Sequence, residues 1–151
     1  MARPTPKNSS AKSFVPSILV DTGPLVALAS RRDNWHARCV EFLRGHRGDL
    51  ITTWPVLTEF SHLVASLAAL RQLQAWAGRG GLRIHAMGHD ELTTVTDWMT
   101  RYADRPMDFA DASLVHVAIA TGVQQVWTID RNDFETYRLP NRKRFKLVGM
   151  Q

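Results

Sequence analysis

Residues 18–28 read Ile18-Leu19-Val20-Asp21-Thr22-Gly23-Pro24-Leu25-Val26-Ala27-Leu28. Three apolar residues run without alternation into a carboxylate, the pattern of a short strand covered on both faces that ends at a polar position. Pro24 suits the first turn of a helix reaching about Arg31, with Thr22 or Gly23 as its cap. The pattern returns late in the chain, where Val126-Trp127-Thr128-Ile129 runs into Asp130.

Between these two strands the sequence keeps alternating. Trp35 to Leu43 reads as a second helix and Leu50-Ile51-Thr52 as a short strand. Pro55 opens a long helix with Val56, Phe60, Leu63, Val64 and Leu67 on one face. Gly78, Gly80 and Gly81 break the chain before a strand over Leu82 to His85. Leu92, Val95, Met99 and Tyr102 stripe a helix over His89 to Tyr102. A further helix spans Asp108 to Thr121 and is closed by Gly122. Phe145 to Val148 reads as a last, edge strand behind the basic run Arg142-Lys143-Arg144. Strands separated by helical crossovers predict a mostly parallel sheet of four to five strands, covered on both faces. In such sheets ligands bind at the carboxyl ends of the strands, where Asp21 and Asp130 fall.

Residues 1–17, rich in proline, serine and basic side chains and without periodicity, read as a disordered leader, and residues 18–151 as a single domain. No apolar stretch approaches the roughly 20 residues that span a bilayer. Cys39, the one cysteine, has no partner for an internal disulfide and reads as a core residue. A reducing, cytoplasmic setting is expected. Net charge is +5, and arginine supplies 15 of the 19 basic residues. The arginine fork binds phosphate in a bidentate way, so a nucleic-acid partner fits, although a GC-rich genome would give the same bias.

The acids carry the chemistry. Glu59 lies on the flank of the Val56/Phe60 stripe, where it reads either as a first-turn acid at a helix's positive end or as a group facing the core edge. Asp108 reads first as an N-cap. Asp111, one turn on, shares a face with Val115, Ala118 and Ile119. Asp130 could be a turn former in Asp130-Arg131-Asn132-Asp133, and Asp21 a strand-ending cap. Each bland account serves one residue; none explains two strand-end acids and two helix-borne acids on core-facing flanks of one small domain. Isolated buried carboxylates are costly, and like charges gathered within about 4–6 Å raise one another's pKa. A divalent cation resolves the conflict, and oxygen-only ligation favours Mg²⁺ or Mn²⁺ over zinc.

The segments Asp-Thr-Gly-Pro-Leu-Val-Ala-Leu from Asp21, Trp-Pro-Val-Leu-Thr-Glu-Phe around Glu59, Met-Asp-Phe-Ala-Asp-Ala-Ser-Leu-Val-His-Val-Ala around Asp111 and Thr-Ile-Asp-Arg-Asn-Asp-Phe around Asp130 form an ordered set. That set resembles PIN-domain proteins, and more narrowly the VapC-type toxin ribonucleases, over Ile18 to about Phe134. The resemblance implies a three-layer α/β/α sandwich and a metal-dependent endoribonuclease. It implies that Asp21, Glu59, Asp111 and Asp130 hold one or two Mg²⁺ or Mn²⁺ ions, with Asp108 an extra ligand or outer-shell group. It also implies that Thr22 and Thr128 orient carboxylates or water. Partners implied are RNA, a cognate antitoxin whose tail occupies the acidic groove, and a second copy of the chain in a homodimer, for which the Leu92/Val95/Met99/Tyr102 stripe is a candidate face.

The chemistry this suggests is in-line hydrolysis of an RNA phosphodiester, with no histidine required. His36, His62 and His116 lie within helices and read as surface or core groups. Arg131, Arg138, Arg142, Lys143, Arg144 and Lys146 follow the last acid and could track the RNA backbone, or simply charge a sheet edge against association. Trp76, Trp98 and Trp127 read as core or interface. A receiver-type Mg²⁺ site is disfavoured because no lysine lies between Lys12 and Lys143, and a dehalogenase-type phosphatase because position 23 is glycine, not a second aspartate. The alternative from another class is a non-catalytic RNA-binding or scaffold module of the same fold, which usually lacks one or more of the acids.

Overall fold

A computed structural model describes residues 14–105 and 107–150. The expected leader falls, for residues 1–13, outside the described residues. The elements are β1 (Ile18–Val20), α1 (Thr22–Ala29), α2 (His36–Gly45), β2 (Leu50–Thr52), α3 (Trp54–Val64), α4 (Leu67–Gly78), β3 (Arg83–Ile84), α5 (Glu91–Arg101), α6 (Phe109–Thr121), β4 (Gln125–Trp127), α7 (Arg131–Thr136) and β5 (Lys146–Val148), with a 3₁₀ turn at Pro140–Arg142. The five strands form one sheet in the order β3-β2-β1-β4-β5, and every pairing is parallel.

All three residues of β1 and of β2 are buried, as expected for strands covered on both faces by helices. The core centres on Trp127, Tyr137, Phe60 and Phe134, with Cys39 buried among them. Trp127 is therefore core, as read from the sequence, and Trp76 and Trp98 pack against that core from its rim. Burial pushes the Cys39 thiol up to about 11, which leaves it protonated and inert.

Several boundaries differ from the sequence reading. The long helix from Pro55 is two helices: Ala65 turns left-handed (φ 47°), and Ser66 caps α4 by accepting a hydrogen bond from Ala69 N at 3.2 Å. Leu63 and Leu67, expected inside, are thereby turned out, at 63% and 66% exposure. Ile119 also faces outward, so the buried stripe of α6 ends at Ala118. Val95 is buried and Met99 and Tyr102 pack on the core, so α5 presents most of its apolar stripe to the interior and leaves Leu92 exposed. Asp130-Arg131-Asn132-Asp133 is the start of α7, not an isolated turn.

The strand order places the site. From β1 the chain moves outward to β2 and β3, then crosses back to lay β4 on the other side of β1. The carboxyl ends of β1 and β4 therefore flank a topological switch point, the position at which open α/β sheets bind ligands. Asp21 follows β1 directly, and its backbone N–H bonds Trp127 O at 3.0 Å, locking the two strand ends side by side. Among the described residues no helix is long and apolar enough to cross a membrane.

Candidate active site

Asp21 is only 9% exposed and is fully engaged. One carboxylate oxygen, Oδ1, caps α1 by accepting from Thr22 N at 2.7 Å; the other, Oδ2, accepts from the Thr128 hydroxyl at 2.7 Å. The cap is thus Asp21 itself rather than Thr22 or Gly23. Burial pushes its pKa up to about 6 against the pull of these two bonds, and the charges of Asp108 and Asp130 push the same way. Thr128 also accepts from Asp130 N at 3.0 Å, so one buried hydroxyl ties the two strand-end acids together. A Cβ on Gly23 would collide with Ile129, so glycine is needed for α1 to start this close to the β4–α7 link.

Asp111 sits one turn into α6 and is 8% exposed. Its Oδ2 accepts from Tyr137 Oη at 2.8 Å, and its backbone N–H donates to the N-cap Asp108 Oδ1 at 2.7 Å. Burial raises its pKa to about 8, with Asp108 the largest charge contribution and Asp21 and Asp133 adding to it; only the tyrosine bond opposes them. The same burial, and the bond to Asp111, raise the Tyr137 phenol, which stays a donor throughout the working range.

Glu59 is half-buried on α3, and burial together with Asp108 and Asp21 raises its pKa. The Thr22 hydroxyl lies close enough to draw that pKa down slightly, yet Thr22 Oγ1 is buried and has no hydrogen-bond partner of its own. Asp130 is exposed and caps α7 through Asn132 N at 3.2 Å. Asp133, one turn further, is raised by burial and then by Asp130 and Asp108. Asp21, Glu59, Asp108, Asp111 and Asp133 are thus electrostatically coupled through Asp108, with Asp130 joined through Asp21 and Asp133. The N-termini of α1, α6 and α7 converge on the same place, and their positive dipole ends offset part of the repulsion. Among the described residues no three acidic, histidine or cysteine side chains stand at ready-made ligand spacing, so a cation would have to draw the carboxylates inward.

The PIN-domain family model matches residues 18–139, nearly all of the described chain. The chain belongs to the PIN-domain family. It is similar to Ribonuclease VapC26 of Mycobacterium tuberculosis (strain ATCC 25618 / H37Rv), with 28% identity over 138 residues, covering 87% of this chain and 99% of that protein. Its fold is similar to the crystal structure of Mycobacterium tuberculosis VapC20, described as a sarcin-ricin loop cleaving toxin. That match has a TM-score of 0.67 and 22% identity, and covers 76% of this chain and 91% of the other.

Two members of this acidic cluster escape a reading of the sequence. Asp133 looked like part of a turn, and only a helical α7 puts it one turn from Asp130 and on the same side. Tyr137 carried no signal, because its partner Asp111 is 26 residues away. The basic residues divide. Arg131 pairs with Glu135 at 3.4 Å. Arg138 spends its guanidinium on the carbonyls of Glu135, Thr136 and Tyr137 at 2.6–3.0 Å, closing α7. Arg142, Lys143 and Arg144 are exposed. His36 bonds Ala27 O at 2.8 Å, and His116 stacks edge-on with His85, so both have structural occupations.

Tyr137→Phe removes the one bond that opposes the rise at Asp111, so the Asp111 carboxyl is expected to titrate above its wild-type value of about 8. Carbon NMR of the carboxyl in metal-free protein checks this. An unmoved midpoint would mean that the tyrosine contributes packing alone.

Proposed function

We propose that this chain is a divalent-metal-dependent endoribonuclease that hydrolyses RNA phosphodiesters and serves as the toxin of a toxin–antitoxin pair. The observation that carries the reading is the burial of Asp21 and Asp111 among further acids at the β1/β4 switch point, with pKa values held up at about 6 and 8. A fold keeps such a cluster at a cost in stability, and a cation removes that cost by returning both groups to the ionised form. The similarity to Ribonuclease VapC26 and to the VapC20 fold supports RNA as the substrate.

The residues fit Mg²⁺ or Mn²⁺ by donor chemistry: all-oxygen, carboxylate-rich, with the orphaned Thr22 hydroxyl beside Glu59. Asp21, Glu59, Asp111 and Asp130 would hold the metal, with Asp108 as the electrostatic hub and a further ligand. When bound, the ion supplies Lewis-acid activation of phosphate and water. The protein's own part is positioning. Thr128 fixes Asp21 Oδ2 and Tyr137 fixes Asp111 Oδ2, so neither carboxylate can rotate freely away from the pocket. Retention of all four acids favours this reading over a non-catalytic module.

A cleft of about 740 Å³ leads away from Glu59 and Asp108 between Trp54, Leu63, Leu92 and Phe109. Its exposed apolar walls, continued by Leu67 and Leu70, support a protein partner over this face: an antitoxin segment running into the acids, and a second copy of the chain. Structured RNA is expected to be cleaved with Mg²⁺ or Mn²⁺ and left intact with a chelator or by Asp130→Asn. Equal cleavage by wild type and Asp130→Asn, followed on a gel, would overturn the assignment of the site.

A further inference from the structure

The positive charge of this chain gathers at the end of the sheet opposite the acids. Because every strand pairing is parallel, the segments that lead into β2, β3 and β5 lie together at the amino ends of the strands. Those segments carry Arg44 and Arg47, Arg79, and Arg142, Lys143 and Arg144, all exposed. Within these segments the one acid is Asp49, which lies 4.0 Å from Arg83. Arg47 Nη1 donates to Arg44 O and His46 O at 2.6 and 3.1 Å, neutral acceptors that leave its charge uncompensated. Among the described residues the six form no ion pair.

The loop before β5 is built to hold its three cations outward. Leu139 N bonds Lys143 O at 2.9 Å, and Arg138 and Arg144 form an antiparallel bridge, closing a turn through left-handed Asn141 (φ 61°) and Arg142 (φ 59°). Pro140, Asn141 and Lys143 face Ala118, Ile119 and Gly122 across a small cleft, which fixes the loop at the carboxyl end of α6. Asp108 and Asp111 are at the other end of that helix. Thirteen residues at 1.5 Å each put the two poles about 20 Å apart.

We infer that this basic pole is a second nucleic-acid contact surface, one that grips the phosphate backbone of structured RNA flanking the strand delivered to the acids. The identity of the ligand as substrate rests on the proposed RNA cleavage; the binding itself does not. Sheet order sets the dimension. From β3 to β5 is four strand spacings, so the cations span about 19 Å. A duplex carries a phosphate about every 3.4 Å of helix axis on each strand, so a row of this length reaches several phosphates rather than one anion. Five of the six side chains are arginines, suited to bidentate phosphate contact. A defence of the β5 edge would need only the last three; Arg44, Arg47 and Arg79 lie before β2 and β3, well away from it.

The separation has a consequence for catalysis. Cations 20 Å from the acids cannot steer a phosphate into them directly; they can anchor only an RNA long enough to reach round the domain. Short oligonucleotides would bind without their help.

The test measures binding of a fluorescent RNA hairpin of about 20 nucleotides to the full chain in excess EDTA, over a range of salt. The triple variant Arg142→Gln/Lys143→Gln/Arg144→Gln is expected to bind at least tenfold more weakly at low salt, with the slope of log K against log salt shallower by about two to three. Arg44→Gln/Arg79→Gln, on different elements, is expected to lose about one to two in slope, which keeps the test sound if the triple variant folds poorly. Wild-type affinity and slope in both folded variants would overturn the inference, as would displacement of the hairpin by poly-glutamate at equal charge. Since no metal is present in the binding test, failure of the cleavage reading appears separately, as wild type that binds the hairpin yet does not cut it once Mn²⁺ replaces EDTA.

Discussion

Asp111→Asn is expected to abolish RNA cleavage and, in metal-free protein, to raise stability. Removing a pre-organised charge from a site of this kind typically lowers the rate by about 10²–10³-fold. The stability gain has a different origin. In wild type Asp111 is buried against Asp108, Asp21 and Asp133, and only the Tyr137 hydroxyl favours its ionised form. Asparagine keeps an oxygen for that hydroxyl and carries no charge, so the gain at pH 9 should reach a few kcal/mol and vanish near pH 4. Asp21→Asn makes the useful contrast. Both Asp21 oxygens accept hydrogen bonds, from Thr22 N and the Thr128 hydroxyl, and an amide nitrogen cannot replace an acceptor. It should lose activity equally with no such gain. Chemical denaturation with EDTA, beside cleavage assays with Mn²⁺, separates the two. If Asp111→Asn is destabilised at pH 9, the acids are not in mutual conflict and the argument for a cation fails.

This contrast explains how much of the site was legible. The strand-end acids were readable because an apolar run that stops at aspartate has few physical meanings in an α/β chain. Asp111 was readable because carboxylates seldom keep apolar company. Capping and site membership read as competing roles in the sequence, and in the structure they coexist. Asp21, Asp108 and Asp130 each cap a helix, and it is capping that brings three helix N-termini, with their acids, to one place. The cap uses one carboxylate oxygen of each; in Asp21 the other accepts from Thr128, and among the described residues the second oxygens of Asp108 and Asp130 accept no hydrogen bond.

What could not be read has equally physical causes. The break at Ala65 was hidden because alanine favours helix and only tertiary context imposes its left-handed turn. Asp133 depended on recognising a six-residue helix, too short to show periodicity. The location of the basic run follows from topology, not from its place in the sequence. Arg142 follows Asp130 by a dozen residues, yet a parallel sheet requires the chain to return to the amino end before β5 begins. Nearness in sequence became distance in space.

The other large effect expected is a pH-dependent stability that a divalent cation reverses. Asp111 and Asp21 have folded pKa values of about 8 and 6, both raised above the ordinary aspartate value of 3.8. Below about pH 4 both groups are protonated in the folded and unfolded chains, and stability is fully retained. As pH rises the unfolded chain gives up protons that the folded protein keeps. Stability is therefore lost progressively, with the Asp21 contribution exhausted by about pH 6 and that of Asp111 by about pH 8. Metal-free protein should lose a few kcal/mol between pH 5 and pH 9. Mn²⁺ should return most of it, and by a larger margin at pH 9 than at pH 5, since a ligand that binds only the folded state stabilises in proportion to its occupancy and protons compete for the carboxylates. Urea titrations at the two pH values, with Mn²⁺ and with EDTA, read both effects. A flat metal-free profile, or equal Mn²⁺ shifts at both pH values, would mean that the buried acids do not share one cation.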